Sequence, residues 1–513
     1  MNQEAVTAFL SDPATYGTGV EQVERHETHG SMVFLAGERA FKLKRAVRYP
    51  YMDYSTPARR RAMCEAELAV NQRMAPELYL EVRAIVRARD GTLRFDSSSD
   101  PIAAIDWVVV MKRFDQAALF EEMRKRGGLS APLMRTLAEV IAHFHREAEV
   151  RPRFGGPAGI LTVIDENRAI FGRSLDLFGE DRVGRYATSA GAALRNMAEL
   201  LEVRRHSGFV RRCHGDLHLN NICLIGGRPV LFDAIEFGEE FASIDVFYDL
   251  AFLLMDLERH KLGNFANIVL NRYLEKTQDF CGVAALPLFL SCRAAVRSHV
   301  IAAAQGTELR DAETSAEAVS LLDAAVAFLE KAPAKLVVLG GLSGTGKSTL
   351  ARAIASEIGR RPGAVVLRSD VIRKSICGVE EADRLPADGY SEDINTKVYA
   401  TLAARADLLL RSGHSVIADA VFGQAEERQL IDAVAHSAGT DSHKVWLNAP
   451  RAILEERLSA RKDDVSDATV AVLRRQAVSI DFPRDWPTLD VSGSPEDAAA
   501  ALRGILAMPE PER

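Results

Sequence analysis

The feature that most restricts how this chain can fold is a short stretch in its last third. Leu336-Val337-Val338-Leu339 is continuously apolar and branched, the pattern of a strand buried on both faces of a parallel sheet. It runs into Gly341-Leu342-Ser343-Gly344-Thr345-Gly346-Lys347-Ser348, after which the apolar spacing of Thr349–Ile358 predicts a helix. A glycine-rich turn between strand and helix aims backbone N–H groups inward, and the helix dipole adds to their attraction for phosphate. Gly341, Gly344 and Gly346 permit that turn; Ser343, Thr345 and Thr349 complete the nucleotide-binding loop. Lys347 is placed to neutralise the β- and γ-phosphates of ATP, and Ser348 to ligate magnesium.

The residues that follow narrow the chemistry. Ala364-Val365-Val366-Leu367-Arg368-Ser369-Asp370 is a second buried strand ending in a carboxylate, with Arg373 one turn into the next helix. Ligands of α/β sheets sit at the carboxyl ends of the strands, so Asp370 is expected to face the loop and take a proton from an acceptor hydroxyl. Arg373 is expected to hold an anionic group or the transferring phosphoryl; a helix cap and a surface arginine are the structural alternatives. Ser415–Asp419 is a third strand, ending where such folds put the magnesium acid, although a cap role for Asp419 stays open. Lys444–Leu447 and Thr488–Val491 supply a fourth and a fifth strand. Arg457 and Arg461 lie between them, where arginines serve a lid over ATP or simply an exposed face.

On these motifs, residues 335–513 resemble the P-loop small-molecule kinases that include gluconate kinases, chloramphenicol phosphotransferase, zeta toxins and polynucleotide 5′-hydroxyl kinases. The resemblance implies an α/β domain with a five-stranded parallel sheet and magnesium-ATP-dependent phosphorylation of a hydroxyl. It does not fix the acceptor.

A second constellation lies upstream. His214-Gly215-Asp216-Leu217-His218-Leu219-Asn220-Asn221 is followed by the strand Pro229–Asp233. Phosphoryl transfer needs a carboxylate beside the acceptor hydroxyl, which Asp216 supplies, and oxygen ligands for magnesium, which Asn221 and Asp233 supply. It also needs a lysine on a strand and a glutamate on a helix to orient it. Lys42 and Lys44 lie on one face of Arg39–Lys44; Lys42 is preferred, with Lys44 close behind. In the Pro57–Met74 helix Glu67 is preferred over Glu65, and Met111 opens the hinge beside adenine. Asp245 and Asp249 are expected to brace the catalytic loop, and His145 to pack in the core.

These features make residues 1–310 resemble the aminoglycoside phosphotransferase and choline kinase branch of the protein-kinase-like fold. His218 stands where protein kinases usually have lysine, which favours a small-molecule acceptor. No Gly-x-Gly-x-x-Gly loop precedes Lys42, a departure from the protein-kinase pattern. The resemblance implies an α+β two-lobed domain, with a small lobe at 1–115 and a helical lobe at 116–310. A helix and linker at 311–334 then lead to the P-loop domain, the junction marked by Pro333.

Two magnesium-ATP sites are therefore expected, making the chain a bifunctional phosphotransferase acting on small-molecule hydroxyls such as those of sugars, aminoglycosides or other polyols. One alternative keeps only the P-loop domain catalytic, as a kinase or a regulatory NTPase, with the first domain a binding or sensing module. A net charge of -7 argues against a nucleic-acid partner or a membrane surface. Six scattered cysteines without metal-like spacing, and an N-terminus lacking signal-peptide character, point to the cytoplasm. The longest apolar runs fall short of a membrane span, and nothing in the sequence indicates an oligomeric state.

Overall fold

The computed structural model describes residues 3–28, 30–49, 52–96, 104–304, 311–381, 383–460 and 469–508. They form two compact units: Met1–Asp256 with Leu288–Val326, and Leu257–Pro287 with Ala327–Arg513. The segment 257–287, which the sequence assigns to the helical lobe, packs instead with the P-loop unit.

The first unit is built on a six-stranded antiparallel sheet. Its spatial order is Val23–Glu27, Ser31–Ala36, Arg39–Lys44, Ala104–Lys112, Tyr79–Arg87, Leu93–Asp96. Arg39–Lys44 pairs with Ser31–Ala36 on one side and Ala104–Lys112 on the other, which centres Lys42 and Lys44 in the sheet. One face packs against the helix Pro57–Asn71 through Leu35, Cys64, Tyr79, Val109 and Met111. Thr56 accepts from the Arg59 N–H and Pro57 occupies the first turn, so this helix begins where its cap and proline dictate. The other face is closed by Val6 and Leu10 of an N-terminal helix, packed on Phe34, Phe41 and Val110. Beyond the sheet the unit is mainly helical, with Ala131–Glu147, Gly156–Gly172, Glu180–His206 and Val246–Arg259 around a hairpin of Ile222–Ile225 and Arg228–Leu231.

In the second unit, five parallel strands lie in the order Val365–Arg368, Val416–Asp419, Lys335–Gly341, Asp441–Asn448, Thr488–Asp490. Val337, Leu339, Ile417, Val445 and Leu447 carry the core beneath the helix Lys347–Ile354. Val365–Arg368 is an edge strand, and edges present unpaired backbone groups. The helix Gly263–Thr277 covers this one with two asparagines. Asn271 accepts from the Val366 N–H at 2.7 Å and donates to the Ala364 carbonyl at 3.2 Å, as a neighbouring strand would. Asn267 donates to the carbonyls of Pro362 and Ala364. Asn271→Ala leaves the Val366 amide without its acceptor. A loss of about 1–3 kcal/mol is expected in thermal unfolding of this unit, and an unchanged melting temperature would remove the helix from the edge-covering role.

Among the described residues one helical stretch, Phe280–Ala303, is long and apolar enough to cross a membrane, where the sequence led us to expect none; 72 % of its most apolar window is buried within the protein. It is a core element by burial.

Candidate functional site

In the first unit the functional side chains converge from four elements. Lys42 donates to Glu67 Oε1 at 2.8 Å and pairs with the Asp233 carboxylate. Lys44 reaches the other oxygen of Glu67 and also Glu236. Glu67 is fully buried and held between the two lysines, whereas Glu65 pairs with Arg61 at the surface. Of the two lysines, Lys42 also touches Asp233, the candidate metal ligand. Burial disfavours the Lys42 ammonium, but Asp233 and then Glu67 outweigh it and raise its pKa well above the ordinary lysine value. For Lys44 the same contest, with Glu236 leading the carboxylates, pushes the pKa up to about 12. Both lysines are cations at any physiological pH.

Asp233 has φ 62, a left-handed conformation that aspartate tolerates better than most residues. Two buried groups fix this turn: the Asp233 N–H donates to the Tyr79 hydroxyl and the Ala234 N–H to Asn71 Oδ1. Met111 is buried in the central strand Ala104–Lys112.

The loop His214–Asn221 is shaped by its own polar groups. His214 Nε2 donates to the Phe232 carbonyl and Nδ1 accepts from the Asp216 N–H, so one tautomer serves both bonds. Burial holds the His214 pKa below the usual value, keeping the ring neutral. Gly215 has φ 85, and a Cβ there would come within 3.1 Å of the Phe241 carbonyl; only glycine fits. Asp216 Oδ2 receives the Asn221 amide at 2.9 Å and lies 3.3 Å from His218 Nε2. Desolvation works against ionisation of Asp216, but His218, His214 and Arg297 overcome it and hold the carboxyl well below the usual range. Asn221 directs its nitrogen to Asp216, which leaves its oxygen for a cation.

Helix Val246–Arg259 clamps this loop at two points seven residues apart. Asp249 accepts from the N–H groups of His214 and Gly215 and pairs with His145 at 3.0 Å. Asp256 accepts from the Leu219 N–H. Asp249 thus braces the loop as the sequence indicates, and His145 is buried beside it. Asp245 acts elsewhere, receiving both arms of the buried Arg204 guanidinium. Asp256 escapes sequence reasoning because an aspartate inside an apolar helix carries no motif of its own.

In the second unit the P-loop is preformed. Gly341 has φ 144, and a Cβ there would lie 2.7 Å from the Leu447 carbonyl. Lys347 turns back to the carbonyls of Gly341 and Leu342, Thr345 Oγ1 donates to the Leu342 carbonyl, and the Ser343 N–H is held by Gln476. Ser348 Oγ donates to Asp419 Oδ2 at 2.5 Å, so hydroxyl and carboxylate meet at the strand end. That hard-oxygen pair fits a magnesium ion, as does the pair Asn221 and Asp233 in the first unit. Arg368, buried on the neighbouring strand, lies 3.6 Å from Asp419 and 3.9 Å from Glu275. At the end of the apolar run Ala364–Leu367 it reads only as a strand-end residue, with no motif to single it out.

Two other sequence candidates, Arg373 and Arg457, are engaged by groups outside the site they were expected to serve. Arg373 is buried with its guanidinium on the Gly389 carbonyl, the Asn395 side chain and the face of Tyr390. Asp370 is half-buried in the first turn of Ser369–Cys377. Arg457 donates to the carbonyls of Val491 and Gly493, tying its helix to the loop after the last strand. Arg461 lies outside the described residues, as does His29. Thr349 follows Ser348 in the first turn of the P-loop helix.

Two known families match separate regions of the chain. Residues 37–286 match the phosphotransferase enzyme family and residues 336–483 match an AAA domain family. An uncharacterised protein of Mycobacterium tuberculosis is 31 % identical over 500 residues, covering 92 % of this chain and 93 % of its own length. Among solved structures, a choline/ethanolamine kinase family protein from Mesorhizobium loti is 16 % identical with a TM-score of 0.38, over 64 % of this chain and 96 % of its own. A sugar kinase from Janibacter is 20 % identical with a TM-score of 0.27, over 34 % of this chain and 96 % of its own.

Proposed function

The chain belongs to one family with the mycobacterial protein that matches it through both regions, a phosphotransferase-type region followed by a P-loop kinase region, and from that premise we propose that each region transfers the γ-phosphate of ATP to a hydroxyl of a small molecule. The observation that carries this reading is the duplication of parts. One unit gathers Lys42, Glu67, Asp216, Asn221 and Asp233; the other gathers Lys347, Ser348 and Asp419, with Asp370 in the first turn of the helix that follows the neighbouring strand Val365–Arg368.

In the first unit Lys42 holds the α- and β-phosphates, Glu67 keeps the ammonium in place, and Met111 borders adenine. Asp216 accepts the hydrogen bond of the acceptor hydroxyl and orients it. In the second, the backbone N–H groups of the loop and Lys347 cradle the phosphates, while Asp370 faces the acceptor. Arg373 acts there by fixing the 389–395 segment, and Arg457 by fixing its own helix, as their contacts indicate. Asn221 and Asp233 in one unit, and Ser348 with Asp419 in the other, would hold a magnesium ion, which would supply charge neutralisation to the phosphates.

The missing glycine loop before Lys42 favours a second reading, in which only the P-loop unit transfers phosphate. Nucleotide stoichiometry separates the two. Magnesium–AMP-PNP titrated into the full chain is expected to occupy two sites, and Lys347→Ala to leave one, with affinity at the altered site weakened by roughly tenfold or more. A single site in the wild-type chain would leave the first unit without a nucleotide and reject the bifunctional reading.

A further inference from the structure

The two lysines of Arg39–Lys44 share one glutamate and divide between them the turn that follows Arg228–Leu231. Lys42 joins Glu67 Oε1 to the carboxylate of Asp233, and Lys44 joins Glu67 Oε2 to the carboxylate of Glu236. These two rungs run side by side because residues two apart on a strand project from the same face. Their surroundings differ. The Lys42 rung ends on Asp233, whose side chain is 38 % exposed, whereas in the other rung Lys44 is 2 % and Glu236 6 % exposed. Glu236 Oε1 also accepts from the Tyr54 hydroxyl at 2.6 Å, and the buried Tyr54 ring lies 5.4 Å from the Lys44 ammonium. The helix Pro57–Asn71 reaches the same turn one step further on: Asn71 donates to the Glu67 carbonyl and accepts from the Ala234 N–H.

We propose that Lys44 and Glu236 are positioning residues of the first unit: their buried rung keeps Glu67 and the Asp233 turn at a fixed spacing while Lys42 releases Asp233 and turns to the phosphates of a nucleoside triphosphate. This rests on the phosphotransferase reading of the unit and adds the residues that hold its nucleotide site together. In that reading the Lys42 rung must be exchanged, since Lys42 cannot take up phosphates, nor Asp233 a cation, while each is spent on the other. The Lys44 rung has no such exchange to make. It is closed to solvent, and parting a buried ion pair leaves uncompensated charge, so it is the less labile of the two. With a single lysine, Glu67 would lose its hold on the strand whenever that lysine was drawn toward phosphate; a second lysine on the other carboxylate oxygen keeps the hold. Lys44, an alternative to Lys42 by sequence, thereby has a separate task, and Glu236 gains one that no motif announces.

The test is calorimetric titration of magnesium–AMP-PNP into the full chain carrying Lys347→Ala, which reads the site of the first unit, at a temperature well below the melting point of every variant. Lys44→Met, similar in length and uncharged, is expected to weaken that site by about tenfold. The charge-balanced pair Lys44→Met with Glu236→Gln is expected to weaken it by a similar factor without stranding a buried charge. Tyr54→Phe takes one hydrogen bond from Glu236 and keeps the ring, and a loss of about threefold is expected. These last two carry the test if Lys44→Met alone does not fold. A cycle with Glu67→Gln separates positioning from general stability and from direct phosphate contact: in that background Lys44→Met should change the affinity by less than about twofold. The proposal is overturned if the balanced pair and Tyr54→Phe both keep the starting affinity, or if Lys44→Met costs the same factor with and without Glu67→Gln. A Lys347→Ala chain that binds no AMP-PNP rejects the nucleotide reading and the rung with it, whereas binding that the rung variants leave untouched rejects the rung alone.

Discussion

In a Lys347→Ala background, where the P-loop unit is disabled, Asp216→Asn is expected to cut the remaining ADP release by about 10²–10⁴-fold, with KM for ATP nearly unchanged. The split follows from where the parts sit. Asp216 is bonded to Asn221 and His218 within its own loop, whereas Lys42, the residue proposed to hold the phosphates, is bonded to Glu67 and Asp233. Removing the carboxylate therefore disturbs the acceptor hydroxyl and leaves the nucleotide contacts in place. The depressed pKa of Asp216 adds a pH signature. A carboxylate of this kind is a weak base, suited to orienting the hydroxyl and taking its proton late, once the phosphoryl bond is largely formed. It also stays ionised through the ordinary carboxylate range, so the acid limb of the rate profile should not carry a pKa near 4 that disappears in Asp216→Asn. Residual ADP release that survives the substitution at full rate would mean that the loop His214–Asn221 does no chemistry.

Much of the site is legible because its parts are spaced in sequence as they are used in space. The turn at Gly341–Ser348 is closed by φ values that glycine supplies, and the strand before it has no polar residue from Leu336 to Leu339. The alternation of Arg39–Lys44 puts Lys42 and Lys44 on one face, and both reach Glu67. What is not legible depends on contacts between distant segments. Tyr79–Arg87 mixes charged and apolar residues without strict alternation, partly because register shifts at Tyr79/Glu81 and Ile85/Val86 break its period, so its sequence does not announce a strand. Asn267 and Asn271 look like ordinary polar helix residues until the edge strand they cover is present. Position alone suggests site roles for Arg373 and Arg457; the acceptors that engage them, at Gly389, Asn395, Val491 and Gly493, lie 16 to 36 residues away.

Asp249→Ala is expected to cost the first unit roughly 3–5 kcal/mol, the second of the two largest effects. The carboxylate is wholly buried and has three partners: the His214 N–H at 3.2 Å, the Gly215 N–H at 2.8 Å and His145 Nε2 at 3.0 Å. Alanine leaves two backbone amides and an imidazole buried beside a void. An asparagine in place of the carboxylate would satisfy one amide and turn an NH2 toward the other, so Asp249→Asn should recover little. Thermal unfolding checks the size, and hydrogen exchange at the His214 and Gly215 amides checks the cause: protection there should fall well beyond the global change. The pH dependence has a definite sign. Burial opposes ionisation of Asp249, but the His145 bond and nearby cations outweigh it, holding the folded pKa below the usual value. Its stabilisation is therefore complete above the unfolded carboxylate pKa and is lost as pH falls through the folded one, so wild type and Asp249→Ala should converge in acid. A metal-ligand role competes with this account, because His145, Cys213 and Asp249 offer donor atoms within 4.8 Å of one another. Both Asp249 oxygens already accept backbone N–H groups, however, and burial raises the Cys213 thiol pKa well above its ordinary value, which disfavours the thiolate a metal would need. The melting temperature of the wild-type chain should accordingly be indifferent to a strong chelator, and a chelator-dependent fall that Asp249→Ala abolishes would replace the hydrogen-bond explanation with a metal one.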